Sequence, residues 1–175
     1  TLINFLPSKD IFSSTKFDSS ILQKRMQELA YLNRGLNISL VDKTTSKEKV
    51  YNNKYEGGIV EFVEFLDQKK DKLLNKNEKE VFKKPIFISG SKNDVTIEVS
   101  IKWNADYSEE ILAFTNNICQ NDGGTHLLGF RSALTRIINK YASENNLLKK
   151  NKINLSGDDI REGLTAVVSI KMPDP

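Results

Sequence analysis

The run DVTIEVSIKWN (94–104) constrains the fold more than any other stretch of the chain. Val95, Ile97, Val99, Ile101 and Trp103 fall on one side of an extended backbone, and Thr96, Glu98, Ser100 and Lys102 on the other. That period of two belongs to a strand and predicts one buried face and one wet face. PIFISGS (85–91) reads as its partner across a turn. A sheet built on antiparallel hairpins cannot be the purely parallel sheet of a Rossmann fold.

The other segments alternate in type. TLINFL (1–6) is β-branched and aromatic ahead of Pro7 and predicts a strand. Asp18, Ser19 and Ser20 offer N-caps to a helix that puts Leu22, Met26, Leu29 and Asn33 on one face with Ile21 and Ala30 beside them, and Gly35 is placed to close it. LNISLVD (36–42) and VYNNKY (50–55) read as a hairpin. After Gly57 and Gly58, Val60, Val63 and Leu66 recur at helical spacing, flanked by Phe62 and Phe65. The passage 69–84 carries seven lysines against Asp71, Glu78 and Glu80 and reads as a solvated connection or a frayed helix end, with nucleic acid as an alternative partner. EEILAFTNNI (109–118) predicts a third strand of this region, 127–144 a long helix, SGDDIREG (156–163) a short capped helix, and LTAVVSIKM (164–172) the last and most apolar strand. The expected fold is α+β: a single mixed, largely antiparallel sheet with helices packed mainly on one face.

Composition narrows the function. With 38% hydrophobic and 28% charged residues the chain reads as one soluble, cytoplasmic globular domain; its apolar runs fall far short of the roughly 20 residues that span a bilayer. Cys119 is the only cysteine and His126 the only histidine, so neither an internal disulfide nor a structural zinc site can form. A net charge of +3, from 26 basic and 23 acidic residues, allows a nucleic-acid partner without requiring one. A first residue other than Met and strand-like segments at both ends read as one domain of a longer protein.

NNICQNDGGTHLLGFRSALTRIINKYA (116–142) concentrates the unusual chemistry. A Cys119–His126 dyad would need a base within reach of the thiol, which sequence proximity does not provide. GTHLLGFRS (124–132) approaches a phosphate-binding loop, but Phe130 displaces the frame and Arg131 stands in for the required lysine. The remaining reading is mechanical: Gly123 and Gly124 make a sharp turn, Thr125 caps a helix beside His126, and Phe130, Leu134, Ile137, Ile138 and Tyr141 form its apolar stripe. Arg131, Thr135 and Asn139 flank that stripe, so Arg131 serves either an anion or a salt bridge. Arg136 and Lys140 lie nearer the opposite side, and Arg136 is the helix's second candidate for nucleic acid. Asp158, Asp159 and Glu162 read as a helix cap in preference to a metal site.

The blocks YEGGIVEFVEFL, FTNNICQNDGGTHLLGFRSALTRIINKYA and SGDDIREGLTAVVSIKMPDP, with TLINFLPS and LAYLNRGLNISLVDK before them, resemble the transducer domain of the B subunit of bacterial DNA gyrase over essentially the whole chain. The topoisomerase IV counterpart shares this architecture and is the runner-up. The resemblance implies a left-handed βαβ crossover, ATP and magnesium bound by an upstream ATP-binding domain, and an ATP-contacting lysine beyond Pro175, leaving no catalytic residue among these 175. It further implies double-stranded DNA without sequence preference, the gyrase A subunit and a second B subunit as partners, and an Arg131 that faces the DNA cavity. By itself the fragment is expected to be inactive and monomeric. Cys119 departs from the proline frequent in that family at this position, and the lysine-rich passage has no counterpart that assigns it a role.

Overall fold

A computed structural model describes residues 3–44, 46–147 and 155–175. The chain divides into two compact units, Thr1–Tyr55 and Glu56–Pro175.

The first unit holds helix α1 (Ser19–Leu32) and the antiparallel hairpin of β1 (Ile38–Asp42) and β2 (Lys49–Asn53). Asp18 starts α1 by accepting the Ser20 N–H at 2.8 Å and its hydroxyl at 2.6 Å, bonds that hold its carboxyl below the ordinary 3.8. Ala30, Tyr31 and Leu32 are the buried end of the helix. Gln23 bonds Asn53 at 3.0 Å, Gln27 bonds the Tyr55 hydroxyl at 3.2 Å, and Tyr31 stacks on Tyr55. The expected strand TLINFL is not formed over its described residues: 3–6 are irregular, and Ile3, Phe5 and Leu6 are exposed. Strand propensity without a pairing edge or a buried face does not make a strand. Thr1 and Leu2 lie outside the described residues.

The second unit contains α2 (Ile59–Asp67), β3 (Ile86–Lys92), β4 (Val95–Trp103), β5 (Glu110–Thr115), β6 (Ile118–Cys119), α3 (Thr125–Glu144), α4 (Gly157–Arg161) and β7 (Leu164–Lys171). Its five strands lie in the order β3-β4-β7-β5-β6; β7 is antiparallel to β4 and parallel to β5. The fold is therefore α+β and largely antiparallel as expected, with the strands shared between a two-stranded and a five-stranded sheet instead of one. Two tight turns set the hairpins: Asn93 and Asp94 (φ 49° and 62°) join β3 to β4, and Asn116 and Asn117 (φ 47° and 67°) join β5 to β6. Residues with short polar side chains tolerate this left-handed pair, whose twist suits antiparallel strands.

The helices cover both faces of the five-stranded sheet, not mainly one. Val99, Ile101, Leu164, Ala166 and Val168 form a core against Phe130 and Leu134 of α3. On the other face the Phe62 ring of α2 meets Phe114 at 6.1 Å, and Asp67 at the end of α2 reaches Lys102 at 2.8 Å. β7 is consequently buried at seven of its eight residues and shows no alternation. The same covering corrects the wet face expected for β4: Ser100 and Lys102 are buried.

Lys102 is tolerated there because it is neutralised. Burial alone pulls its ammonium toward the neutral form, but Asp67 and Glu80, at 2.8 and 3.2 Å, outweigh that and hold its pKa above the ordinary 10.5. Asn104 joins the network, donating to Asp67 at 2.9 Å and Thr165 at 3.0 Å. Glu80 comes from the lysine-rich passage, which is a solvated connection, as one of the two readings had it, and not a frayed helix end. A bridge between Leu74 and Glu80 and the Asn75 side chain, accepting from Asn77 and Lys79, shape it into a folded loop.

Asp67→Ala leaves the buried Lys102 ammonium with Glu80 as its one carboxylate and removes the acceptor of Asn104, and is expected to cost about 1–3 kcal/mol in denaturant unfolding. Gly163, at φ +68°, would place a Cβ 2.4 Å from the Asn104 carbonyl oxygen, so Gly163→Ala is expected to cost about 2 kcal/mol or more. The Lys102 bond holds the Glu80 carboxyl below the usual 4.5. A depressed carboxylate stabilises the fold above its unfolded value and loses that contribution as pH falls through the folded one. Glu80→Gln is thus expected to lower the unfolding midpoint near neutral pH and to converge on the parent chain as the pH falls below the folded-state value of Glu80, as a midpoint series across pH would record.

Candidate nucleic-acid interface

The candidate site is assembled on the connection between the parallel strands β5 and β7, which runs through β6, the glycine turn, α3 and α4. Gln120 N–H bonds back to the Ala113 carbonyl at 2.8 Å, and Gly123 N–H closes on the Gln120 carbonyl at 3.1 Å. Gly123 has φ +83°, a conformation that glycine adopts without strain. Gly124 takes the cap position, and Thr125, expected as the cap, is the first helical residue. His126 is half-buried. The Cys119 thiol donates to the Asn121 side-chain oxygen at 3.2 Å, an acceptor that is no general base.

α3 packs with a different stripe from the one its sequence suggests. Leu127, Phe130, Leu134 and Ala142 face inward, whereas Ile137 and Tyr141 are about 60% exposed. The helix is turned so that the half-buried Thr135 and Asn139 face the structure. Thr135 donates to the Arg131 carbonyl at 2.9 Å, and the Asn139 side chain bonds the Leu155 backbone in both directions, at 2.9 and 3.3 Å, pinning the entry to α4. These hydrogen bonds lie on the edge of the stripe where the helical wheel places Thr135 and Asn139.

Arg131 sits at the rim, 36% exposed, and its Nη2 is bonded to Glu109. The other oxygen of Glu109 lies 2.9 Å from Arg161 Nε, and Arg161 Nη2 donates to Asp158 at 2.6 Å. One carboxylate ahead of β5 therefore joins α3 to α4. Glu109 and Arg161 were not among the expected site residues; Arg161 was legible only as a cation among acids in SGDDIREG, and nothing in the sequence pairs Glu109 with either arginine. Beside Arg131 a recess of about 310 Å³ is lined by Ile111, Cys119, Asn121, Asp122 and Gly123.

Arg136 is exposed on the outer side of α3, and among the described residues it forms no ion pair, so the structure does not bring it together with Arg131. Asp159 completes a capping box with Ser156, whose hydrogen bonds hold its carboxyl below the ordinary 3.8, while Asp158 serves Arg161. These acids are thus a helix cap and an ion pair. In the lysine-rich loop, Lys70 bonds Glu110 at 2.6 Å and Lys72 meets Glu80 at 3.4 Å, whereas Lys69, Lys76, Lys79, Lys83 and Lys84 are exposed.

Comparison with known proteins bears on what this arrangement is. The DNA gyrase B protein of Streptococcus pyogenes serotype M3 is 48% identical over the whole chain, and that of Clostridium acetobutylicum 46%. The chain spans about a quarter (26%) of the length of these curated relatives. Among solved structures, the 43K ATPase domain of Thermus thermophilus gyrase B aligns with 97% of the chain at TM-score 0.78 and 37% identity, the match covering 43% of that protein. The gyrase B protein of Myxococcus xanthus, at TM-score 0.76 and 23% identity, shares the fold. Residues 58–175, the unit built around β7 and carrying the Arg131 rim, match the family model described as DNA gyrase B. With that match added to near-half identity along its entire length, the chain belongs to the DNA gyrase B family.

Proposed function

We propose that this chain is the transducer module of an ATP-dependent type IIA topoisomerase, relaying ATP binding and hydrolysis to the passage of one DNA duplex through another. The observation that carries the reading is the alignment of 97% of the chain with part of a gyrase B ATPase domain, the 43K domain of T. thermophilus. A module of this kind needs a rigid body, and in the β5–β7 connection Asn139 ties α3 to the entry of α4 through two hydrogen bonds to the Leu155 backbone.

In this reading the transported duplex passes the rim of α3, where Arg131 contacts backbone phosphate without reading sequence, and exposed Arg136 adds to the basic surface. Partners are double-stranded DNA, the gyrase A subunit and a second gyrase B protein. ATP and magnesium are proposed as ligands of the longer protein, on the likeness to a gyrase B ATPase domain, and the 175-residue piece by itself is proposed to be inactive.

The test is Arg131→Gln in the full-length protein assembled with its A subunit. Supercoiling and DNA-stimulated ATP hydrolysis are expected to fall together by roughly tenfold, with ATP hydrolysis in the absence of DNA retained, as for loss of one charge-assisted contact. Unchanged values for both would overturn the phosphate contact. ATP-driven introduction of negative supercoils by the parent complex separates gyrase from a topoisomerase IV, which would only relax and decatenate.

A further inference from the structure

Glu109 is shared unequally between two arginines. Arg161 is the more enclosed, with 16% of its side chain exposed, against 36% for Arg131 and 30% for Glu109. Arg131 holds Glu109 through Nη2 alone, because its buried Nε, like that of Arg161, forms no hydrogen bond among the described residues; Arg161 faces Glu109 by charge at 2.9 Å and is anchored separately by its Nη2 bond to Asp158. An ion pair at this level of exposure is weak and readily exchanged. A phosphate presents an arginine with the same paired oxygens as a carboxylate.

Departure of Arg131 would ordinarily strand a partly buried carboxylate, which is costly. Here it does not, because Arg161 Nε stays 2.9 Å from Glu109. The surroundings also separate the two arginines. Asp158, almost fully exposed, and Glu162 border with Tyr107 and Arg161 a recess of about 230 Å³, an acidic setting that turns phosphate away from Arg161. Arg131 lies on the glycine-turn side, outside that recess.

We propose that Arg131 is parked on Glu109 and handed to a DNA backbone phosphate while Arg161 keeps Glu109 neutralised. Glu109 thus limits DNA affinity, and Arg161 is a positioning residue that supports the contact without touching DNA. The proposal rests on the reading of Arg131 as a phosphate contact.

The experiment measures duplex DNA binding against salt for the full-length protein with its A subunit. Glu109→Gln frees Arg131 and is expected to tighten binding about fivefold. Arg161→Gln is expected to weaken it by a similar factor without changing the salt slope, since no phosphate contact is removed, whereas Arg131→Gln lowers that slope by about 0.9. In the Glu109→Gln background Arg161→Gln is expected to have no effect, because no charge remains to be compensated. Arg161→Lys, which keeps the charge, is expected to bind like the parent and controls for disturbance of α4. Persistence of the Arg161→Gln loss in the Glu109→Gln background, or weaker binding by Glu109→Gln alone, overturns the hand-over. Loss on Arg131→Gln with Glu109→Gln and Arg161→Gln both neutral sinks the hand-over and leaves the phosphate contact standing. An Arg131→Gln protein that binds like the parent removes the contact and the hand-over together.

Discussion

The architecture of the larger unit depends on burying β7 from both sides. A strand with Leu164, Thr165, Ala166, Val167 and Val168 all fully enclosed needs a layer on each face of the sheet, and the chain supplies α3 on one and α2 with the lysine-rich loop on the other. The second layer meets a difficulty, since the neighbouring strand β4 places Lys102 beneath it. Asp67 at the end of α2 and Glu80 from the loop answer that charge from two elements, so the layer closes only when both are in place. A buried cation with two carboxylates is a poor source of net stability but a strict condition on register, because any slip leaves a charge unpaired.

That register passes to the candidate interface. β7 pairs in parallel with β5, so the intervening chain must cross the sheet, and its crossing element is α3. The glycine turn sets where α3 begins, and Phe130 and Leu134 set its rotation, which leaves Arg131 at the rim. Glu109, immediately ahead of β5, then ties Arg131 to Arg161, three residues ahead of β7. The ends of the two parallel strands and the helix between them are thereby joined by charge as well as by packing. In a protein of the DNA gyrase B family, such bracing suits an element that moves as one piece.

Local signals were legible where a residue's partners lie nearby in sequence. The Asp18 cap, the Ser156–Asp159 cap and the extended run of β4 are short-range patterns, and each appears where the residues indicate; the wet face of β4 does not, because α2 covers it. The apolar stripe of α3 was half legible. Phe130 and Leu134 pack inward, but Ile137 and Tyr141 are exposed, and the inner edge there carries Asn139, which bonds the Leu155 backbone sixteen residues away. TLINFL misled because strand propensity describes a surface waiting for a pairing strand, and residues 3–6 pair with none among the described residues, Phe5 meeting only the Phe17 ring edge-on.

The sequence by itself determined the class of the fold, the position of its helices and hairpins, the family, and Arg131 as a cation on a packed helix. Those follow from periodicity, caps and motif order, which are written along the chain. Only the tertiary structure decided that Lys102 is buried between Asp67 and Glu80, that helices cover both faces of the larger sheet, and that Arg131 is engaged by Glu109 while Arg136 stands apart. Each of these joins groups twenty or more residues apart, and pairing over such distances is set by which strands become neighbours, which no local pattern encodes.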